Sequence, residues 1–242
     1  MKHLTLLIVT ILLLDSCHKN HSASTRLEWE NAYDINVPEP SGLASTDSEN
    51  VLLSVSDQTN MVYKMTLTGQ IIQTYNYTGH DLEGITGYTS GTLLLVEERN
   101  KNIIELNTLT GVSHIHSIAY ENEEANSGME GIAYNPNTQT IYFLNEKRPG
   151  KLFRLNTNYS ITNSIELDFA QDYSGIVYDA DADVLWILSD ESQSINKCTL
   201  DGMLIQSYSI QVHKPEGICI IDDKIYIVSD SEEKLYIFPK PD

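Results

Sequence analysis

Leu82-Glu83-Gly84-Ile85 is one of five copies of a short phrase; the others are Pro40-Ser41-Gly42-Leu43, Met129-Glu130-Gly131-Ile132, Tyr173-Ser174-Gly175-Ile176 and Pro215-Glu216-Gly217-Ile218. The five glycines stand 42, 47, 44 and 42 residues apart. A period in the forties marks stacked supersecondary units, and a four-stranded propeller blade takes about that length. Each glycine is followed by an apolar residue, a turn, an apolar run, and then a polar residue with an acid. Those endings are Ser56-Asp57, Glu97-Glu98, Asn145-Glu146, Ser189-Asp190 and Ser229-Asp230.

Four strands are readable inside each full repeat. In the second they fall at 85–88, 92–96, 103–107 and 112–118, separated by Thr89-Ser90-Gly91, by 99–101 and by 108–111. The third gives 132–134, 141–144, 152–155 and 161–167, and the fourth 176–178, 184–188, 195–200 and 204–210. Outside the N-terminus no segment of helical length carries a 3.6-residue apolar period. The fifth repeat supplies only three strands, 218–221, 225–228 and 235–238, before Pro239. Residues 27–37 have the pattern of the missing fourth. A ring closed by one terminus completing the other's blade hides the sheet edges that otherwise template aggregation. The expectation is an all-β, five-bladed propeller, with the last blade made of 27–37 plus 218–238.

The N-terminus reads as an export signal. Lys2 and His3 precede an apolar run from Leu4 to Leu14, about half the ~20 residues of a membrane-spanning helix. Leu14, Ser16 and Cys17 look like a bacterial lipobox, with Asp15 an unusual residue between them. That resemblance implies a signal peptide over 1–16, a lipid on Cys17, a tether over 17–26 and a domain over 27–242. An ordinary secretory signal cut nearby is the alternative. The expected home is the bacterial cell envelope, on the periplasmic side or the cell surface, with the lipid as the membrane contact.

With 34 acidic against 15 basic residues the net charge is −19. Such a chain repels nucleic acid and anionic headgroups and attracts cations. Its size suits one monomeric all-β domain. With Cys17 assigned to lipid, Cys198 and Cys219 are expected as buried free thiols, on strands too far apart for a disulfide.

The repeated -E-G-I- followed by -S-D- and a later apolar residue resembles the bacterial SdiA-regulated propeller family, distantly similar to NHL-repeat propellers. The resemblance spans residues 27–238. It implies five blades and a bound calcium ion, and brings no particular reaction with it.

In a propeller the first strand of each blade lines the axial channel. The residue before each glycine then sits at the channel mouth: Ser41, Glu83, Glu130, Ser174 and Glu216. Three carboxylates facing one another across a narrow mouth cannot all remain ionised without a cation. Calcium takes six to eight oxygens from carboxylates, carbonyls, hydroxyls and water. The absence of His and Cys from these positions disfavours zinc and copper. Alternatively, these glutamates bond loop amides and hold the ring together. Asp57, Glu98, Glu146, Asp190 and Asp230 form a second candidate ring at the turns between strands two and three. The local chemistry of tight turns is the competing account of them.

Asp179-Ala180-Asp181-Ala182-Asp183 alternates acids like an EF-hand loop but lacks its glycine and its final glutamate, so a hairpin turn is expected. His114 and His116 share one face of an outer strand and read as solvated. No nucleophile elbow, zinc-protease signature, C-x-x-C or phosphate loop occurs. Two functional classes follow. One is a calcium-bound scaffold presenting its mouth to a ligand or protein partner. The other is a metal-dependent esterase or lactonase. A phytase is disfavoured because only Arg99, Lys101, Lys147 and Arg148 lie near the expected mouth.

Overall fold

The computed structural model describes residues 25–46, 49–121 and 127–241. The export signal, Cys17 and the tether up to residue 24 lie outside the described residues. Every regular element among the described residues is a β-strand. Blade one runs outward from the axis as Pro40–Thr46, Glu49–Ser56, Met61–Thr66 and Ile71–Thr78. Blade two is Leu82–Thr89, Thr92–Glu97, Asn102–Asn107 and Ser113–Ser117. Blade three is Met129–Asn135, Thr140–Asn145, Lys151–Leu155 and Ile161–Glu166. Blade four is Gly175–Asp179, Val184–Ser189, Ser194–Cys198 and Leu204–Ser209. Blade five is Pro215–Ile221, Lys224–Ser229 and Lys234–Pro239, completed by Asn31–Asp34 from the other end of the chain.

Side chains alternate across a strand, and the second strand of each blade uses both faces for core. Leu93 and Leu95 pack toward blade one, whereas Leu94 and Val96 pack toward blade three. This is why Thr92–Glu97 and Val184–Ser189 are buried at every position and read as continuous apolar runs rather than alternating ones. The core is accordingly divided into five clusters, each filling one seam between neighbouring blades. One of them joins blade five to blade one through Leu43, Leu52, Val228 and Leu235. An open row of five blades has four seams, so the fifth seam shows that the ring is closed. The fourth strands face solvent, as in Ile161–Glu166, where only Ile161 and Ile165 are half-buried.

The closing strand is shorter than the 27–37 read from the sequence. Asn31–Asp34 pairs antiparallel with Lys234–Pro239, Asn31 opposite Ile237 and Asp34 opposite Lys234. Ahead of it, Thr25–Arg26 pairs in parallel with Leu204–Ser209 of blade four, so the ordered domain includes the last two residues assigned to the tether. The apolar residues that suggested one long strand serve two seams. Leu27 packs between blades four and five, while Ile35 and Val37 pack between blades five and one. Cys198 and Cys219 are buried and free, in the third and first strands of their blades.

Candidate metal centre

The inner strands converge so tightly that a side chain at the repeated glycine would strike the next blade. A Cβ on Gly84 would lie 2.6 Å from the Glu130 carbonyl oxygen, on Gly131 2.7 Å from the Ile176 nitrogen, and on Gly217 2.5 Å from the Leu43 nitrogen. Glycine is required there for close approach of backbones. One residue earlier, the ladder slips register in four blades: between Pro40 and Gly42, Leu82 and Gly84, Met129 and Ile132, and Pro215 and Gly217. Such bulges re-aim a side chain. They turn Ser41, Glu83, Glu130 and Glu216 into one cavity of about 170 Å³ at the channel mouth. Blade four differs. Ser174 is buried, and its hydroxyl donates to the Pro215 carbonyl at 2.8 Å, tying blade four to blade five instead of lining the cavity.

Asp57, Glu146, Asp190 and Asp230 of the second ring line that same cavity, so they stand beside the glutamates of the first. Turn chemistry falls to the residues before them. The Ser56, Ser189 and Ser229 hydroxyls accept the amides of Thr59, Ser192 and Glu232 at 3.0, 3.1 and 3.2 Å. Asn145 donates to the carbonyls of Lys147 and Pro149. Glu98 is the exception: its carboxylate accepts the Gly128 amide at 2.8 Å.

A further column escaped the sequence reading. Three residues before each ring glycine stand Glu39, Asp81, Gly128, Asp172 and Lys214. Glu39, Asp81 and Lys214 adopt left-handed backbone, φ 41°, 58° and 45°, a conformation uncommon outside glycine that other turns of this chain share, as at Asn60 and Asp183. Asp81 pairs with Arg99 at 3.0 Å and Lys214 with Asp230 at 2.8 Å. Asp172 accepts the Glu191 amide at 3.0 Å and the Ser189 hydroxyl. The signal was available as acids at three of five equivalent positions.

The carboxyls at the mouth hold their protons far above the usual range. Burial, then the charges of Asp57, Asp81 and Glu98, push Glu83 up to about 8, and a bond from the Ser41 hydroxyl draws it partly back. Glu130 is raised well above an ordinary glutamate by burial and then by Glu83 and Glu216. Glu216 is raised likewise by burial, then Asp190 and Glu83. Burial, then Glu39 and Asp230, lift Asp57 to about 6. Burial lifts Glu98 to about 6 against the pull of the Gly128 amide. Among the described residues, the trios of carboxylates with oxygens within 4.8 Å of one another are Asp81, Glu83 and Glu98, and Glu39, Asp57 and Asp230. Glu83, Glu130 and Glu216 thus surround one cavity and repel one another without forming such a tight cluster themselves.

The donor set suits a hard divalent cation. The side chains around the cavity offer carboxylate and hydroxyl oxygen together with two lysines, and no imidazole or thiolate. One oxygen, Asp57 Oδ1, is buried without a hydrogen-bond partner. Lys147 is held by Glu146 at 2.6 Å and Glu191 at 3.1 Å, and Lys214 by Asp230. Of the other cations expected near the mouth, Arg99 is paired with Asp81, and Lys101 donates to the Tyr120 carbonyl and stands over its ring.

The two remaining acid and histidine features are local structure. Asp179 Oδ1 accepts the amides of Asp181 and Ala182 in a hairpin turn, and Oδ2 takes Trp186 Nε1 and Lys240 Nζ. His116 stacks on Tyr159 with ring centres 3.6 Å apart.

Solved propellers share the architecture. Glutaminyl cyclase from Myxococcus xanthus superposes with a TM-score of 0.69 at 10% identity, covering 90% of this chain and all of that one. A chain of a nidogen/laminin complex gives 0.57 at 13% identity, over 83% of this chain and 76% of that one. Virginiamycin B lyase from Staphylococcus aureus gives 0.51 at 14% identity, over 86% and 98%. At such identities the likeness is one of fold. The sequence itself matches the SdiA-regulated family model over residues 24–239, and the chain belongs to the SdiA-regulated family.

Proposed function

We propose that this protein is a calcium-binding propeller of the bacterial cell envelope, anchored by a lipid on Cys17, whose mouth presents a cation-organised surface to a ligand or protein partner. One observation carries the cation: three channel glutamates from three blades surround a single cavity and hold their protons far above the ordinary range. A divalent ion replaces those protons and relieves the repulsion. Glu83, Glu130 and Glu216 would hold it by closing in from their present spacing around the cavity, with Ser41 and Asp57 beside them. Ser174 contributes by fixing the blade that faces them. The lipobox-like Leu14 to Cys17 supports the anchor. The mouth lysines are engaged by carboxylates, which favours a scaffold over a metal-dependent hydrolase.

Titration calorimetry at neutral pH tests the cation. The parent is expected to take up about one calcium per chain, and Glu130→Gln to bind at least tenfold more weakly. Equal affinity in the two would sink the reading. For the anchor, Cys17→Ser is expected to move the protein from the membrane to the soluble fraction and to abolish the mass added by acyl chains. An unchanged distribution would contradict it.

A further inference from the structure

The channel has a second mouth of a different character. On the face opposite the acids lies a cavity of about 730 Å³, which runs outward between blades one and two. Pockets of roughly 300–1,000 Å³ are the size that encloses small organic ligands. The acidic mouth, at about 170 Å³, has room for an ion and its waters.

The larger cavity is built by the repeat itself. Three residues beyond each ring glycine stand Ser45, Gly87, Tyr134, Tyr178 and Ile220, and all five line it. Its floor is apolar, from Leu43, Ile85, Ile132 and Ile176, two residues beyond the acidic-mouth column. Its walls carry four half-buried tyrosines, Tyr75, Tyr88, Tyr134 and Tyr178. The rings of Tyr88 and Tyr134 meet edge-on with centres 4.7 Å apart. The Tyr178 hydroxyl is held by Asp183 at 2.8 Å and by Asn137. These rings are therefore fixed, and rigid aromatic walls over an aliphatic floor suit a flat apolar body.

Charge sets the rest of the chemistry. Asp181 and Asp222 are exposed at the rim, Lys64 lines the wall on the blade-one side, and Asp179 is neutralised by Lys240 at 3.0 Å, so the acids outnumber the one cation of the lining. With a net charge of −19 behind them, these acids oppose an anionic ligand and tolerate a neutral or cationic one.

We infer that this far mouth is a second binding site, for a non-anionic small molecule with a ring-shaped apolar body. It is separate from the cation centre and does not depend on it.

The test uses two dyes with the same rings: uncharged N-phenylnaphthylamine and its sulfonated analogue, anilinonaphthalene sulfonate. The uncharged dye is expected to bind saturably, about one per chain, equally with and without chelator. The sulfonate is expected to bind at least tenfold more weakly. Thr86→Trp, which fills the cavity, and Tyr178→Ala, which removes a wall, should each weaken the uncharged dye tenfold or more in protein that still unfolds cooperatively. If one of them misfolds, the other decides. Unsaturable fluorescence, equal affinity for the sulfonate, or undiminished binding by a folded variant would overturn the inference. Loss of binding in chelator would overturn its independence from the cation.

Discussion

At the scale of the residue, the fold and the site meet in one triplet. The glycine lets five backbones crowd the axis, and in four of the five blades the residue before it is turned into the channel. That much was legible, because the glycine recurs in every repeat and an acid or serine precedes it each time, so both appear as a column in the sequence. The register slip that aims Glu83, Glu130 and Glu216 was not, since a bulge is a property of two paired strands. Nor was the left-handed backbone of Glu39, Asp81 and Lys214, because acids and lysine do not advertise positive φ as glycine does. Ser174 was misjudged for a similar reason: its bond to the Pro215 carbonyl depends on a neighbouring blade. The electrostatics give a prediction with a definite sign. Burial and the neighbouring acids push Glu83 up to about 8 in the folded state against an ordinary 4.5. The native protein therefore holds more protons than the unfolded chain between those values, and stability falls as pH rises through that window. In chelator, Glu83→Gln should melt above the parent at pH 8, by on the order of a few kcal/mol, and match it near pH 4. A variant less stable than the parent at pH 8 would show that this carboxylate supports the apo fold.

At the scale of the element, the closing strand matters most. Its existence was legible from arithmetic, because the fifth repeat stops one strand short. Its limits were not. Ile35 and Val37 are buried and Leu27 is half-buried against the core, but the chain crosses from blade four to blade five and then turns toward the axis. Their apolar pattern therefore records two seams rather than one strand. The central strands were easier, since burial on both faces writes an unbroken apolar run. Removing residues through Pro38 should strip the partner from Lys234–Pro239 and open the seam that contains Ile35 and Val37. An exposed edge of that kind invites pairing with other chains. The expected product has a lowered melting temperature and aggregates in light scattering or gel filtration, whereas removal through residue 24 leaves a stable monomer. A monomeric, equally stable product of the longer deletion would contradict closure by this strand.

At the scale of the whole molecule, five seams close a ring, and the ring gathers residues from distant repeats at each of its two ends. One end collects carboxylates from every blade. The other collects tyrosines and aliphatic side chains. The family, the blade number and the acidic mouth were all readable from the repeat. The depth of the second mouth was not, because cavity volume depends on how blades tilt together. The acidic mouth makes the apo ring carry a repulsion that an ion removes. Binding to the folded state alone stabilises by RT ln(1+[L]/Kd), about 2.7 kcal/mol at a hundredfold excess over Kd. For a domain of this size that corresponds to a rise of roughly 5–10 °C in melting temperature. The most direct measurement is thermal unfolding at neutral pH in chelator and again in millimolar calcium. The account predicts a clear rise with calcium, reversed by chelator and much reduced in Glu130→Gln. One melting temperature under both conditions would contradict it and leave the glutamates as bonds within the ring.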